Sequence, residues 1–302
     1  MKIKSCGFDI PENKKIRVII DTDAACEADD PYAIVHGLLS PKLIVKAILA
    51  EHFNRSGSVQ RSYNEIQTII KAMEIDVPIF MGEEGPLSLE SDTISEASQF
   101  IIDEALREED KPLYVLCQGA ITNVASAIKR CPDIIGKMTI VWIGPHGDKI
   151  QPPPFREFNA GNDIEAANFV LGSGVDLWIV PSSVYVTVTV GIAELKKKVY
   201  PCGKIGQHLV ENLISYNMSD EAGWTQGESW SLGDSPAIAL AINPGAGHYH
   251  MAPAPIIGDE TQTLKMSDEQ LKTRPAARIY DDIDSRYVLE DFFAKLSLIY
   301  GG

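Results

Sequence analysis

Short apolar, β-branched runs alternate with longer amphipathic segments along most of this 302-residue chain. The apolar runs are predicted strands at 16–21, 43–50, 77–80, 112–117, 138–144 and 175–181. Helical spacing of apolar residues follows them, most clearly at 58–74, 95–109, 122–130 and 163–172. Strands that alternate with helices favour βαβ units and a parallel sheet covered on both faces. The sequence therefore predicts an α/β protein with an open, mostly parallel, Rossmann-like sheet flanked by helices.

A single domain accounts for the whole chain. The sequence contains no internal repeat, low-complexity tract or flexible linker, and 45% of its residues are hydrophobic. A large α/β unit can reach this length. The region 192–240 becomes mostly helical, with the clearest helices at 204–219 and 234–242, and a further helix is predicted at 285–299. We therefore predict one domain that spans residues 1–302.

The chain is acidic, because 27 Lys and Arg residues against 42 Asp and Glu residues give a formal net charge of −15. Without a basic cluster, this charge argues against nucleic acid and anionic membranes as partners. No apolar run is long enough for a membrane span, and no signal peptide is expected at the N-terminus. The five cysteines have no CxxC spacing and are typical of reduced thiols. We therefore expect a cytoplasmic protein with a small-molecule substrate.

An acidic cluster follows the first predicted strand: Asp21, Asp23, Glu27, Asp29 and Asp30. Ligands of open parallel sheets bind beyond the carboxyl ends of the strands, so the cluster lies where a site is expected. A hard cation such as Ca²⁺ or Mg²⁺ would neutralise it; otherwise one carboxyl group keeps its proton and its pKa rises. A structural alternative is that Asp29 and Asp30 only cap the following helix.

Oxygen-bearing side chains also occur at three later turns, each of which precedes a predicted helix. These side chains belong to Thr122, Asn123, Glu157, Asn159 and Asp234. One such turn alone would be interpreted as a helix cap. Several at the same edge of a sheet indicate one shared site for a metal ion and a polyol.

Motifs that follow one another along the chain resemble those of the inosine/uridine-type nucleoside N-ribohydrolase family. That family begins with a strand and Asp-x-Asp-Pro-Gly-x-Asp-Asp, where this chain has DTDAACEADD. Its later motifs correspond here to HFN, VPIFMGEEGPL, GAITNVA, EFNAGNDIEAA and GDSP. The similarity extends from about residue 18 to residue 244, and its more specific parts are the Thr-Asn and Glu-Phe-Asn segments.

The resemblance implies a nucleoside hydrolase fold and hydrolysis of the N-glycosidic bond between ribose and a base. The implied Ca²⁺ ligands are Asp23, Asp30, the Thr122 carbonyl and Asp234. The implied ribose contacts are Asp29, Asn54, Gln151, Glu157 and Asn159. Asp23 would also deprotonate a Ca²⁺-bound water that acts as the nucleophile, and nearby carboxylates would stabilise an oxocarbenium-like transition state. The family forms dimers and tetramers, so a homodimer or homotetramer is implied as well.

Two departures from the family pattern concern the metal loop and the base. The stretch between Asp23 and Asp29 is two residues longer than in the family, and we expect the extra residues to bulge outward if the metal coordination is kept. The family's base-side histidine is replaced by Gly233, which cannot donate a proton to a leaving base. We therefore expect weak activity on inosine relative to uridine, or activity only on a modified ribosyl compound.

The base pocket has no assigned motif. Its candidate residues are His52, His146, Trp224 and Trp230, although ordinary loop or core histidines and core tryptophans are more common. Glu157 and Asn159 flank Phe158, so in an extended segment they would share one face and Phe158 would turn into the core.

Two other functions compete with a nucleoside hydrolase. IIDTDAA resembles the opening motif of haloacid-dehalogenase-type phosphatases, but Ala25 stands where those enzymes have Thr or Val, and the Glu-Phe-Asn segment would have no role. A non-catalytic ribose- or sugar-binding protein on the same fold is the second alternative, because a fold does not fix a function.

Overall fold

The computed structural model describes residues 6–91, 93–149 and 155–302. Its strands are β1 (Ile16–Thr22), β2 (Leu43–Ala50), β3 (Ile79–Met81), β4 (Leu113–Cys117), β5 (Met138–Ile143), β6 (Asp176–Val180), β7 (Thr189–Gly191), β8 (Ser229–Ser231), β9 (Tyr249–Pro253) and β10 (Ala276–Tyr280). Its α-helices are α1 (Asp30–Leu39), α2 (Ser58–Met73), α3 (Glu96–Leu106), α4 (Thr122–Arg130), α5 (Phe158–Asn162), α6 (Ile164–Ser173), α7 (Ser182–Tyr185), α8 (Ile192–Lys198), α9 (Gly203–Asn217), α10 (Ser235–Ile242), α11 (Asp268–Thr273) and α12 (Ser285–Tyr300).

Eight strands form one sheet in the order β3-β2-β1-β4-β5-β6-β10-β9. All neighbours in it are parallel except β9, which pairs antiparallel with β10. Strands β7 and β8 form a separate antiparallel pair. The strand order reverses between β1 and β4, and such a reversal opens a crevice beyond the carboxyl ends of the two strands. The predicted open, mostly parallel sheet is confirmed.

Strand β1 shows why the sheet is buried on both faces. All seven of its residues are buried, as expected of a parallel strand with helices on each side. Val18 and Ile20 belong to one hydrophobic core layer, and Ile19 belongs to the other. Alternate residues of a strand point to opposite faces, so one apolar run serves both layers.

A buried ion pair connects β1 to α3. Arg17 donates from Nη1 to the carboxylate of Glu104 at 3.0 Å and to the Glu104 carbonyl at 2.9 Å. Arg17 Nε donates to the Lys111 carbonyl at 2.9 Å, just before β4. Buried charges are tolerated when their hydrogen bonds are satisfied in this way.

The predicted elements agree with the structure apart from their boundaries. The strand expected at 77–80 lies at Ile79–Met81, and the helix expected at 95–109 ends at Leu106. The helix expected at 163–172 is preceded by the separate short helix α5. Asp163 divides the two, because its backbone leaves the helical region and its side chain caps α6 by accepting from the Ala166 amide. In the described part of the chain, no helix is both long and apolar enough to cross a bilayer.

Candidate active site

A cavity of about 480 Å³ opens at the sheet edge where β1, β4, β5 and β6 end. Its acidic lining residues are Asp23, Glu27, Asp29, Asp30, Glu157 and Asp234. Its apolar and aromatic lining residues are Ile143, Phe155, Phe158, Tyr185, Val186 and Trp224. The cavity therefore combines an acidic interior with an aromatic wall at the position that the strand order predicts for a ligand.

Three carboxylates of the cavity lie close to one another, and two of them, Asp30 and Asp234, are among the expected metal ligands. Asp29, Asp30 and Asp234 each have a carboxylate oxygen within 4.8 Å of the others. The Asp30 carboxyl also approaches those of Asp23 and Asp234 closely enough for a hydrogen bond. Asp29 and Asp234 are the residues before α1 and α10, yet neither side chain makes a capping hydrogen bond. Capping therefore does not explain these carboxylates.

Burial and mutual repulsion destabilise the ionised forms of these carboxyl groups. Burial raises the pKa of Asp30 to about 6. Burial and the neighbouring carboxylates raise the pKa values of Asp23, Asp29 and Asp234 well above their usual range. These groups keep their protons more readily than exposed aspartates, unless a positive charge is placed among them.

The donor set fits a hard divalent cation. Ca²⁺ takes oxygen ligands at about 2.3–2.6 Å, so two ligands of one ion lie at most about 5 Å apart. The separations within the Asp29, Asp30 and Asp234 group satisfy that limit. Asp23 Oδ2 is buried and has no hydrogen-bond partner. An orphaned carboxylate oxygen of this kind is satisfied when an ion binds.

Thr122 lies beside a different cavity, which it lines together with Leu87 and Ser126. Its hydroxyl donates to Asp163 Oδ2 at 2.7 Å. Thr122 is the first residue of α4, and a carbonyl at that position points along the helix toward the amide four residues later. The proposed role of this carbonyl as a metal ligand remains a prediction.

Asn54 is exposed and is absent from the lining of the acidic cavity. The backbone amide of Asn54 donates to His52 Nδ1 at 3.2 Å, and His52 Nε2 lies 2.8 Å from Thr122 Oγ1. His52 is thus a buried histidine with both ring nitrogens engaged, and burial lowers its pKa. The expected ribose contact of Asn54 also remains a prediction. Another implied ribose contact, Gln151, lies outside the described residues.

Glu157 and Asn159 both line the acidic cavity, as the sequence analysis expected. Glu157 is fully buried and caps α5. Its carboxylate accepts hydrogen bonds from the backbone amides of Asn159, at 3.2 Å, and Ala160, at 2.8 Å. Asn159 Nδ2 donates to the carbonyls of Gln118 and Ile143 at 3.1 and 3.0 Å. The side-chain oxygen of Asn159, Oδ1, is therefore the atom that can accept a hydrogen bond from a ligand.

The expectation that Phe158 turns into the core is wrong. Phe158 begins α5, so Glu157, Phe158 and Asn159 do not form an extended segment. The Phe158 side chain is 39% exposed and lines the cavity. A helical turn of 100° per residue, unlike a strand, does not place Phe158 opposite its two neighbours.

The two tryptophans differ in role. Trp230 is buried, as core packing predicts, but Trp224 is 63% exposed and lines the cavity, so the expectation of core packing was wrong for it. The Trp224 ring lies 5.3 Å from the Trp230 ring, centroid to centroid. The buried ring thereby supports the exposed one. Together with Phe155 and Phe158, Trp224 forms an aromatic rim at the cavity.

His146 supports this rim from behind. The His146 side chain is buried, and burial lowers its pKa. Nε2 lies 3.1 Å from the carbonyl of Phe155, and Nδ1 lies 2.6 Å from Ser182 Oγ. The ring therefore donates to Phe155 and accepts from Ser182, which agrees with an ordinary structural histidine.

The longer loop after Asp23 does not bulge outward, contrary to expectation. Cys26 and Glu27, both within this loop, line the cavity. The two alanines around them, Ala24 and Ala28, are fully buried. The loop folds inward because its small and apolar residues pack into the core, and the extra length adds the Glu27 carboxyl to the site. Burial raises the pKa of Glu27 to about 7.

Two polar residues of the site were missed by sequence reasoning. Gln118, directly after β4, lines the cavity, and neither atom of its buried amide has a partner. Glu51, directly after β2, is 1% exposed and close to Asp21. Burial and the neighbouring Asp21 carboxyl raise the pKa of Glu51 well above its usual range, so Glu51 keeps its proton more readily than an exposed glutamate. Their position directly after strands was the available signal.

The family of this chain follows from comparison with known proteins. The model of the inosine-uridine preferring nucleoside hydrolase family matches residues 18–290. The chain therefore belongs to the inosine-uridine preferring nucleoside hydrolase family. The matched region contains every strand of the main sheet except the first two residues of β1, and every acidic residue that lines the cavity.

Individual relatives are distant. An uncharacterized protein of Schizosaccharomyces pombe is 25% identical over 191 residues, which are 55% of this chain and 61% of that protein. The pyrimidine-specific ribonucleoside hydrolase RihA of Salmonella arizonae is 26% identical over 69% of this chain and 74% of its own length. The chain thus matches less than two thirds of the first relative's length but about three quarters of the second's.

Solved structures share the fold across nearly the full length. A plant nucleoside hydrolase superimposes with a TM-score of 0.77 at 20% identity and covers 93% of this chain and 98% of its own. The purine-preferring ribonucleoside hydrolase from Gardnerella vaginalis gives a TM-score of 0.75 at 20% identity, over 94% and 99% of the two chains. At this level of identity the likeness establishes the fold.

Proposed function

We propose that this protein hydrolyses the N-glycosidic bond of a ribonucleoside in a Ca²⁺-dependent reaction. The observation that carries the proposal is the convergence of Asp23, Asp29, Asp30 and Asp234 inside a cavity with an aromatic rim. Membership in the nucleoside hydrolase family supports the reaction class. The carboxylates of the interior can accept hydrogen bonds from ribose hydroxyls, and the aromatic rings of the rim can stack on a base.

Asp23, Asp30 and Asp234 would hold the cation, and Asp29 would bind ribose hydroxyls. When bound, Ca²⁺ would orient the ribose hydroxyls and make a water molecule more acidic. We assign Asp23 as general base, because its carboxylate has a second oxygen that can accept the proton of the attacking water when Oδ2 meets the cation. As the glycosidic bond breaks, positive charge develops on the sugar, and the surrounding carboxylates stabilise it.

Glu157 and Asn159 would complete the ribose site as hydrogen-bond acceptors. Each ribose hydroxyl can donate one proton, and ionised carboxylates and amide oxygens only accept. The free oxygen of Asn159 and the remaining lone pair of Glu157 match that requirement.

The base would lie against Phe155, Phe158 and Trp224. Every nucleobase has a face that stacks on an aromatic ring, so the rim favours a base without selecting one. Since Gly233 offers no proton, we propose that uridine is a better substrate than inosine. A pyrimidine leaves more readily without protonation when the ribosyl cation is stabilised.

The test is the release of free ribose from a panel of ribonucleosides, measured with added Ca²⁺ and with a chelator. We expect turnover with Ca²⁺, faster for uridine than for inosine, and a loss of at least about 100-fold in Asp23→Asn. Asp268→Asn, a change at an exposed aspartate of α11, is the control and should retain activity. Turnover that is unaffected by the chelator would rule out the Ca²⁺ part, and faster inosine cleavage would rule out the base preference.

The same panel separates the alternatives. A ribose-binding protein without activity would bind ribonucleosides in calorimetry and release no ribose. A phosphatase would release phosphate from phosphate esters instead, a reaction that the carboxylate-rich cavity disfavours by repulsion. A cytoplasmic location remains a proposal, supported by five cysteines without disulfide bonds. The homodimer or homotetramer also remains a prediction.

A further inference from the structure

Tyr185 is a cavity residue whose role the sequence motifs do not assign. It ends the short helix α7, which follows β6, and its ring lines the cavity next to Glu157. Its hydroxyl donates to Glu157 Oε1 at 2.9 Å. Burial and the Glu157 carboxylate raise the pKa of Tyr185 well above its usual range, so the hydroxyl keeps the proton that it donates.

This hydrogen bond determines how Glu157 can meet a ligand. A carboxylate offers about four lone-pair positions. Backbone amides at Asn159 and Ala160 occupy two of them, and the Tyr185 hydroxyl occupies a third. One acceptor position remains, and its direction is fixed because the other three are engaged.

The ring of Tyr185 is itself held in place. A Cβ atom added to Gly233 would lie 3.2 Å from Tyr185 Cδ2 and 3.2 Å from Asp29 Oδ2, closer than side chains normally approach. The backbone of Gly233 is therefore the surface on which the ring rests. The carbonyl of Tyr185 accepts from Ser231 Oγ at 3.2 Å, which ties α7 to the end of β8.

We propose that Tyr185 is a positioning residue that orients the Glu157 carboxylate toward one ribose hydroxyl, with the glycine at position 233 leaving room for its ring. The inference rests on the proposed function, because it deepens the assignment of Glu157 as a ribose contact. Tyr185 thus determines how strongly the site discriminates ribonucleosides from analogues that lack the hydroxyl bound by Glu157.

The first test compares Tyr185→Phe with wild type on a ribonucleoside and on its 2′-deoxy, 3′-deoxy and 5′-deoxy analogues. Phenylalanine keeps the ring and removes the hydroxyl. We expect kcat/KM on the ribonucleoside to fall by about 10- to 100-fold, the range for a hydrogen bond to a charged group. The fall should be much smaller on the analogue that lacks the hydroxyl bound by Glu157. An equal fall on all substrates, or no fall, would overturn the inference.

Tyr200→Phe is the matched control, because it removes another tyrosine-to-glutamate hydrogen bond, from Tyr200 to Glu211 at 3.1 Å on the surface. It should stay within about twofold of wild type on every substrate. A second variant, Glu157→Gln, completes a double-mutant cycle with Tyr185→Phe. We expect strong non-additivity, because Tyr185 acts through Glu157, and additive losses would contradict that.

The outcome also separates this inference from the proposed function. If wild type hydrolyses ribonucleosides and Tyr185→Phe keeps the discrimination of wild type, the inference fails and the function stands. If wild type binds but does not hydrolyse them, the same variants are compared by calorimetry, and a selective loss of ribonucleoside affinity still supports the inference. Absence of both hydrolysis and binding would reject both.

Discussion

At the scale of single residues, the carboxylates of the site could be predicted because each lies at the end of a strand or at the start of a helix. Asp23 directly follows the parallel strand β1, Asp30 begins α1, and Asp234 directly precedes α10, and all three line the cavity. Gln118 and Glu51 could not be predicted in the same way. Both are polar residues after strands, but only the packed structure shows that their side chains are buried without partners.

The unpartnered amide of Gln118 leads to an expectation for Gln118→Leu. A buried amide without hydrogen bonds costs about 1–3 kcal/mol, so its removal should raise the thermal midpoint of the ligand-free protein. If the amide instead meets the ligand, KM should rise by about tenfold in the same variant. Calorimetric scanning and steady-state kinetics measure the two effects. A lower thermal midpoint together with an unchanged KM would contradict both parts.

At the scale of helices and strands, the main elements were predictable from apolar periodicity, whereas the short ones at the site were not. Helix α5 has five residues and no apolar stripe, and it exists because Glu157 caps its start and Asp163 ends it. Helix α7 is shorter still. Such turns depend on side-chain hydrogen bonds, so the motif around Phe158 suggested an extended segment where a helix begins.

The ion pair between β1 and α3 should contribute strongly to stability. In Glu104→Gln the positive charge of Arg17 remains buried without the carboxylate to which it is hydrogen-bonded, so we expect the free energy of unfolding to fall by about 3–5 kcal/mol. Urea denaturation measures the change. Glu109→Gln is the control: Glu109 lies 3.9 Å from Arg17 Nε and is partly exposed, and a change below about 1 kcal/mol is expected. Equal effects of the two changes would show that burial of the pair is unimportant.

At the scale of the whole molecule, negative charge is concentrated as well as abundant. The chain carries a net charge of −15, and six acidic residues line one cavity. The sequence predicted the total charge and the position of its first cluster. It did not predict that the loop after Asp23 would fold inward and add Glu27, because that outcome depends on how Ala24, Cys26 and Ala28 pack.

The clustering of acidic residues in one cavity should make the stability of the protein depend on pH and on Ca²⁺. Burial raises the pKa values of Asp30 to about 6 and Glu27 to about 7, above the ordinary range near 4. The folded state therefore binds more protons than the unfolded state between about pH 4 and 7, and its stability falls as pH rises through that range. We expect the thermal midpoint of the chelator-treated protein to drop by at least about 5 °C from pH 5 to pH 7.5.

Saturating Ca²⁺ should remove most of that drop, because a bound cation favours the ionised carboxylates and stabilises only the folded state. Mg²⁺ at the same concentration is the comparison, since it demands a smaller and more regular ligand shell. A thermal midpoint that is independent of pH in the presence of chelator would contradict the assigned pKa directions. A response to pH without a response to either ion would contradict the metal site alone.

The acidic interior of the cavity also affects which small molecules can bind, according to their charge. A nucleotide differs from its nucleoside by a phosphate group, which carries up to two negative charges near neutral pH. That group would face the same carboxylates that crowd around Asp30, in a cavity where screening by salt is weak. Under the proposed function we therefore expect the site to act as a charge filter that admits neutral nucleosides and disfavours their phosphorylated forms.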